Sequence, residues 1–167
     1  MDQRTRVAVI ITKLTAGAGV VALNGALALD PRRFVVTLYY GSGDRLASHA
    51  ARAGLRTVHL EHMAAAIAPR DDARGVRELA ALLSGHFDLV HTHSAKAGAV
   101  GRLAAHRCST PAIVHTYHGF PFHDFQPAWR RSLYIDIERR LGRSTDLFLA
   151  VGSTVAAEAI RLGIVQV

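Results

Sequence analysis

Cysteine is nearly absent. Cys108 stands alone among 167 residues, which excludes an internal disulfide and any cysteine-built zinc site. Lysine is almost as scarce, at Lys13 and Lys96 only, so the excess of 20 basic over 13 acidic side chains is carried by arginine. Those arginines are spread along the chain, with no polybasic tail and no basic–aromatic interleaving, so nucleic acid is not an expected partner. No apolar run approaches the ~18 residues of a membrane span; runs such as residues 7–11 and 35–40 are far shorter. The first residues carry Asp2, Arg4 and Arg6 and pass directly into a strand pattern, unlike a signal peptide. A cytoplasmic location is expected. There is no G-x-S-x-G elbow, no G-K-[ST] loop and no helix-borne H-E-x-x-H. Serine hydrolase, P-loop nucleotidase and zinc-hydrolase chemistry are thereby set aside, and no metal is expected.

What is present is hydrophobic and regular. Half the residues are hydrophobic, enough to give a chain of one domain's length a core. Short β-branched runs alternate with alanine-rich stretches, without repeats or linkers. Strands are predicted at 6–12, 34–40, 55–60, 87–92, 112–117 and 147–151. Helices are predicted at 19–29, 45–53, 72–83, 95–106, 127–142 and 154–162, with Asp44 and Ser94 as caps and Pro127 in a first turn. Strands apolar on both faces, alternating with helices, imply an α/β fold: a doubly wound, mostly parallel Rossmann-like sheet with helices on both faces, in a single domain over 1–167. Ligands in such sheets bind beyond the carboxyl ends of the strands, which points to the loops 13–18, 41–44, 91–96 and 118–126.

Three constellations fall in those loops. Gly17-Ala18-Gly19-Val20-Val21-Ala22 matches the G-x-G-x-x-G/A fingerprint. Four residues (13–16) separate it from its strand, and the second strand ends Tyr39-Tyr40-Gly41, where a ribose-binding acid belongs. A nicotinamide or flavin oxidoreductase domain is therefore the alternative reading, with a non-catalytic binding module as a third. The glycines either admit an anion to a helix N-terminus or simply make a tight turn. The second constellation, residues 88–98, sets Ser94 and Lys96 at a helix start. A cation there opposes the helix dipole, so Lys96 is expected to meet an anionic ligand or a carboxylate rather than to stabilise the helix. The third, residues 114–123, places His118 beside Gly119 at a strand end, where a near-neutral imidazole can hold a hydroxyl or shuttle a proton. His115 and His123 are weaker candidates. In the helix from Pro127, Trp129, Leu133, Ile137 and Leu141 make one stripe, with Arg130, Arg131, Arg139 and Arg140 off it. Such a stripe ordinarily packs on the sheet; peripheral contact with an anionic membrane is the other expectation.

Taken together and in this order, these segments resemble the N-terminal domain of family-four retaining glycosyltransferases of the GT-B fold. The marks are Asp88–His93 followed by Ser94-Ala95-Lys96-Ala97-Gly98, then Val114–Phe122, and finally Asp146–Ser153 leading to Glu158 and Leu162-Gly163-Ile164. The nearest subgroup looks like bacterial polysaccharide or lipid-linked glycan transferases. The resemblance implies transfer of a sugar from a nucleoside diphosphate donor to a glycan or lipid-linked acceptor, with retention at the anomeric carbon and without a metal or cofactor. It implies His118 as the catalytic residue near the transferred sugar, Gly17, Gly19 and Gly119 near the donor phosphates, and Ser94, Lys96 and Phe120 in the acceptor cleft. It also implies a partner half, a C-terminal donor-binding domain with paired glutamates, that these 167 residues do not contain. Ala18 stands where the family often has consecutive glycines.

Overall fold

The computed structural model describes residues 3–122 and 125–165. Among these, strands β1 (Thr5–Lys13), β2 (Phe34–Ser42), β3 (Arg56–His59), β4 (Leu89–His93), β5 (Ala112–Tyr117) and β6 (Leu147–Ala150) form one sheet in the order β3-β2-β1-β4-β5-β6. Every pairing is parallel. Helices α1 (Ala16–Ala28), α2 (Asp44–Arg52), α3 (Pro69–Leu83), α4 (Ala95–Arg107), α5 (Ala128–Gly142) and α6 (Ser153–Arg161) alternate with the strands.

The period of two along β1 divides the core. Val7, Val9 and Ile11 pack with Ala22, Leu23 and Ala26 of α1 and Ala47 and Ala50 of α2. Ala8 and Ile10 turn the other way, to Val76, Leu79 and Leu83 of α3 and Val100 and Ala104 of α4. A third cluster joins Tyr117, Ile135, Leu162 and Ile164 under α5 and α6. Right-handed crossovers account for this split, because the chain steps one way from β1 to β3 and the other way from β4 to β6. The order reverses between β1 and β4, so the carboxyl ends of those two strands part and leave a crevice.

Several local expectations need correction. Helix α1 begins at Ala16 rather than at residue 19, so Gly17 lies inside its first turn. Asp44 does not cap α2; it is the first helical residue, and the cap position belongs to Gly43 at φ 117°. A side chain at Gly43 would stand 2.2 Å from the Leu14 carbonyl oxygen, so only glycine fits. Ser94 occupies the cap position of α4 but makes no capping hydrogen bond. The Thr12 hydroxyl, reaching across from β1, accepts from the Ala97 N–H at 2.9 Å instead. Helix α3 starts at Pro69, whose missing N–H costs nothing in a first turn.

Candidate active site

The crevice between β1 and β4 has a volume of about 370 Å³ and is lined by Thr12, Lys13, Thr15, Ala16, Ala18, Ala65, Ser94 and Lys96. Both lysines of the chain are in that set. Two helices start there, and the first N–H groups of α1 and α4 have no intrahelical acceptor. Their dipoles therefore present positive ends to one space. A Cβ on Gly17 would meet nothing within 4 Å, whereas one on Gly19 would stand 2.7 Å from the Leu14 backbone. The Gly19 N–H is given to the Thr15 carbonyl. Gly19 thus serves the turn, and Gly17 faces open space. Gly41 explains the missing acid at the end of β2, since a Cβ there would stand 2.2 Å from the Met63 carbonyl oxygen. A ribose-binding carboxylate cannot be placed at that position.

Lys96 meets a carboxylate, as one branch of the expectation had it. Its ammonium pairs with Asp72 of α3 and donates to the Ala66 carbonyl. This ties the 60–68 loop, which supplies Ala65 to the crevice wall, to the start of α4. Ser94 donates to Thr12 Oγ1 at 3.2 Å. Lys13 is exposed at the crevice mouth.

Beside the crevice stands a row of histidines. His91 and His93 point to the same side of β4, with rings 4.2 Å apart, and His93 Nδ1 lies 3.0 Å from His118 Nε2 at the end of β5. One ring must offer an N–H and the other a lone pair, so the two cannot both be protonated on the facing nitrogens. Burial, reinforced by the neighbouring rings, pushes His91 down to about 4 and His93 down to about 2. Burial lowers His118 as well. At neutral pH the row is uncharged, and His118, half-buried at the sheet edge, offers a neutral imidazole. Gly119 follows at φ 147° with open space around it. Phe120 turns away from the crevice into the aromatic cluster, 5.1 Å from the Tyr117 ring and 4.9 Å from Phe122. His123 lies outside the described residues.

The opposite side of the sheet carries a polar set that the sequence reading missed. Arg102 of α4 is fully buried. Its Nη2 donates to Glu138 Oε2 at 2.7 Å and its Nε to the Gly98 carbonyl at 2.8 Å. The Tyr117 hydroxyl donates to the same Glu138 oxygen at 2.8 Å. Burial and the Glu138 charge raise the Tyr117 pKa, so the phenol keeps its proton. His115 is also fully buried, with Nδ1 2.8 Å from Thr92 Oγ1. A charged residue amid the alanines of residues 95–107 was the only signal in the sequence. Among the described residues no three His, Cys, Asp or Glu side chains converge to hold a metal ion.

Residues 16–167 match the glycosyl transferase 4-like domain. The chain belongs to that family. A 36-residue stretch is 56% identical to the UDP-Gal:α-D-GlcNAc-diphosphoundecaprenol α-1,3-galactosyltransferase of Escherichia coli, covering 22% of this chain and 9% of that enzyme. Among solved structures, a glycosyltransferase from Rickettsia africae superposes with a TM-score of 0.70 at 15% identity, over 97% of this chain and 41% of that one. A Listeria monocytogenes protein assigned as UDP-N-acetylglucosamine 2-epimerase gives 0.72 at 14% identity, over 96% and 42%. The structural likenesses show the fold, a Rossmann-like α/β domain of the GT-B kind. The chain of this glycosyltransferase-family domain spans less than half the length of each of these relatives.

Proposed function

We propose that this domain is the acceptor-side half of a retaining glycosyltransferase that moves a sugar from a nucleoside diphosphate donor to a glycan or lipid-linked acceptor. The observation that carries the reading is the crevice at the strand-order reversal. There two helix N-termini and the exposed Lys13 face one space, with the Lys96–Asp72 pair in its wall, beside a neutral histidine. A departing diphosphate needs positive charge and N–H donors fixed in advance, and that is what such an arrangement supplies. The names of the relatives support a uridine diphosphate sugar as donor and a diphospho-polyprenol as acceptor.

In this reading Gly17 lets the backbone approach a phosphate and Lys13 supplies mobile positive charge at the mouth. Ser94 and the Lys96–Asp72 pair shape the acceptor wall. His118, held by His93, hydrogen-bonds the transferred sugar while remaining neutral. The reaction breaks the bond from the anomeric carbon to the donor's diphosphate and forms one to an acceptor oxygen. The acceptor proton leaves with the diphosphate. A second domain covers the donor's base and ribose, and catalysis is positioning and electrostatics as the halves close, without a metal or cofactor. The enzyme works on the cytoplasmic side, at the inner membrane face.

The test is transfer by the full-length enzyme from uridine diphosphate sugars to a diphospho-polyprenol-linked acceptor, with the anomeric configuration read by NMR. Retained configuration is expected; inversion, or epimerised nucleotide sugar in place of transfer, would overturn the reading. The domain alone is expected to turn nothing over. Two or three backbone contacts at roughly 0.5–1.5 kcal/mol each do not offset the several kcal/mol lost on association. Its dissociation constant for nucleotide sugars is therefore expected near millimolar, about −4 kcal/mol. Micromolar binding by calorimetry would mean a complete site within this chain.

A further inference from the structure

Helix α5 buries Ile135, Glu138 and Leu141 and turns a different set of apolar side chains to solvent. Trp129 is 71% exposed, Leu133 51% and Ile137 38%, and Phe125, just before the helix, is 96% exposed. Residues spaced by four advance ~40° around an α-helix at each step. The stripe therefore winds from solvent at Trp129 to the core at Leu141, and only its last member packs inward. The rest of the exposed side is basic. Arg130, Arg139, Arg140 and Arg143 are all exposed, against Asp136 as the one exposed acid, which Arg139 engages at 3.3 Å. Large apolar side chains exposed along one helix face, set among a net excess of basic ones, mark an interaction site.

We propose that α5 lies on an anionic lipid bilayer, with Trp129 and Leu133 at the boundary of headgroups and acyl chains and the arginines on lipid phosphates. A helix carrying Trp and Leu among arginines has the make-up of an interfacial helix, bound by buried apolar area together with attraction to anionic lipid. A second copy fits poorly, since a two-fold contact through α5 sets four arginines of one chain against four of the other. The helix starts at the carboxyl end of β5, the end of the sheet at which the crevice opens. Docking through the first turns of α5, where Trp129 and Leu133 are exposed, sets that end of the domain toward the membrane. In this respect the inference rests on the proposed use of a lipid-linked acceptor.

Trp129 is the only tryptophan in the chain, so its fluorescence reports this surface alone. The chain is titrated with vesicles of phosphatidylcholine, with or without phosphatidylglycerol. The expected result is a blue shift and brominated-chain quenching with the phosphatidylglycerol vesicles only, reversed in part by salt. Leu133→Glu should abolish the shift. Arg130→Glu with Arg140→Glu should weaken binding about tenfold or more. Unchanged emission, equal binding to both vesicles, or a blue shift that grows with protein concentration without lipid would each overturn the proposal, the last in favour of self-association. In the full-length enzyme, Leu133→Glu should lower transfer to a vesicle-borne acceptor and leave transfer to a short-chain, water-soluble acceptor unchanged. Absence of transfer to either acceptor by the unaltered enzyme would instead sink the proposed activity.

Discussion

Tyr117 and His118 are neighbours in sequence with opposite assignments. The Tyr117 ring is buried and its hydroxyl is held by Glu138, while His118 emerges at the sheet edge against His93. The carboxylate of Glu138 serves both Tyr117 and Arg102, whose guanidinium has no access to water. Glu138→Ala leaves that cation buried without its counter-charge and should cost about 3–5 kcal/mol in urea denaturation. Tyr117→Phe removes one hydrogen bond to that carboxylate but leaves the ion pair, and should cost less, about 1.5–3 kcal/mol. Similar losses for the two would show that the carboxylate does not carry the set. His118→Ala is expected to leave the fold intact by circular dichroism, because its ring is only half-buried at a strand end. In the full-length enzyme it should lower turnover about tenfold, equivalent to ~1.4 kcal/mol. Near-normal turnover at saturating donor would remove His118 from the reaction.

Helix α4 sits close to the sheet because of its glycines. A Cβ on Gly98 would stand 2.5 Å from His115 Cε1, and one on Gly101 2.6 Å from Thr92 Cγ2. His115 is locked by Thr92 and by full burial, so it cannot yield. Gly98→Ala should therefore destabilise the domain by about 1–3 kcal/mol. Gly17→Ala, with open space around it, should be neutral or slightly stabilising, since alanine gains up to ~1 kcal/mol over glycine in a helix. Thermal melts of the two variants moving together would contradict this distinction. At this scale the sequence was readable where a feature depends on its own segment. The alternation of strand and helix, the apolar character of both strand faces and the place of His118 at a strand end all belong to that class. Features made between segments were not. Thr12 caps α4 from 85 positions away, Asp72 reaches Lys96 from α3, and the close approach of α4 spends its glycines on packing against the sheet. The α5 stripe was visible, but its drift around the helix, which decides what packs and what faces solvent, needed the position of the sheet.

The whole molecule carries a formal charge of +7 with its histidines neutral, and the fold holds several of those histidines neutral by burial. His91, His93 and His115 are each pushed below the ordinary value of 6.5, to about 4 and about 2 for the first two and well below it for the third. Once the pH drops below 6.5, the unfolded chain binds a proton at each of these sites and the folded chain does not. Stability is therefore complete above the ordinary histidine range and falls as the pH falls toward the native values. The slope is about 1.4 kcal/mol per pH unit for each histidine so held. Asp30, Asp88 and Glu158 act in the same direction but in a different window. Hydrogen bonds from Arg32, Arg6 and Arg161 respectively hold them low, so their contribution is lost only when the pH falls through the carboxylate range. A steep fall in melting temperature between about pH 6.5 and pH 5 is thus expected to come from the sheet histidines. His93→Gln, which keeps a polar side chain facing His118 but cannot titrate, should flatten it by about one proton's worth. A melting temperature that stays level across that interval would mean that these rings take up protons in the folded state, which would break the His93–His118 contact in its present form.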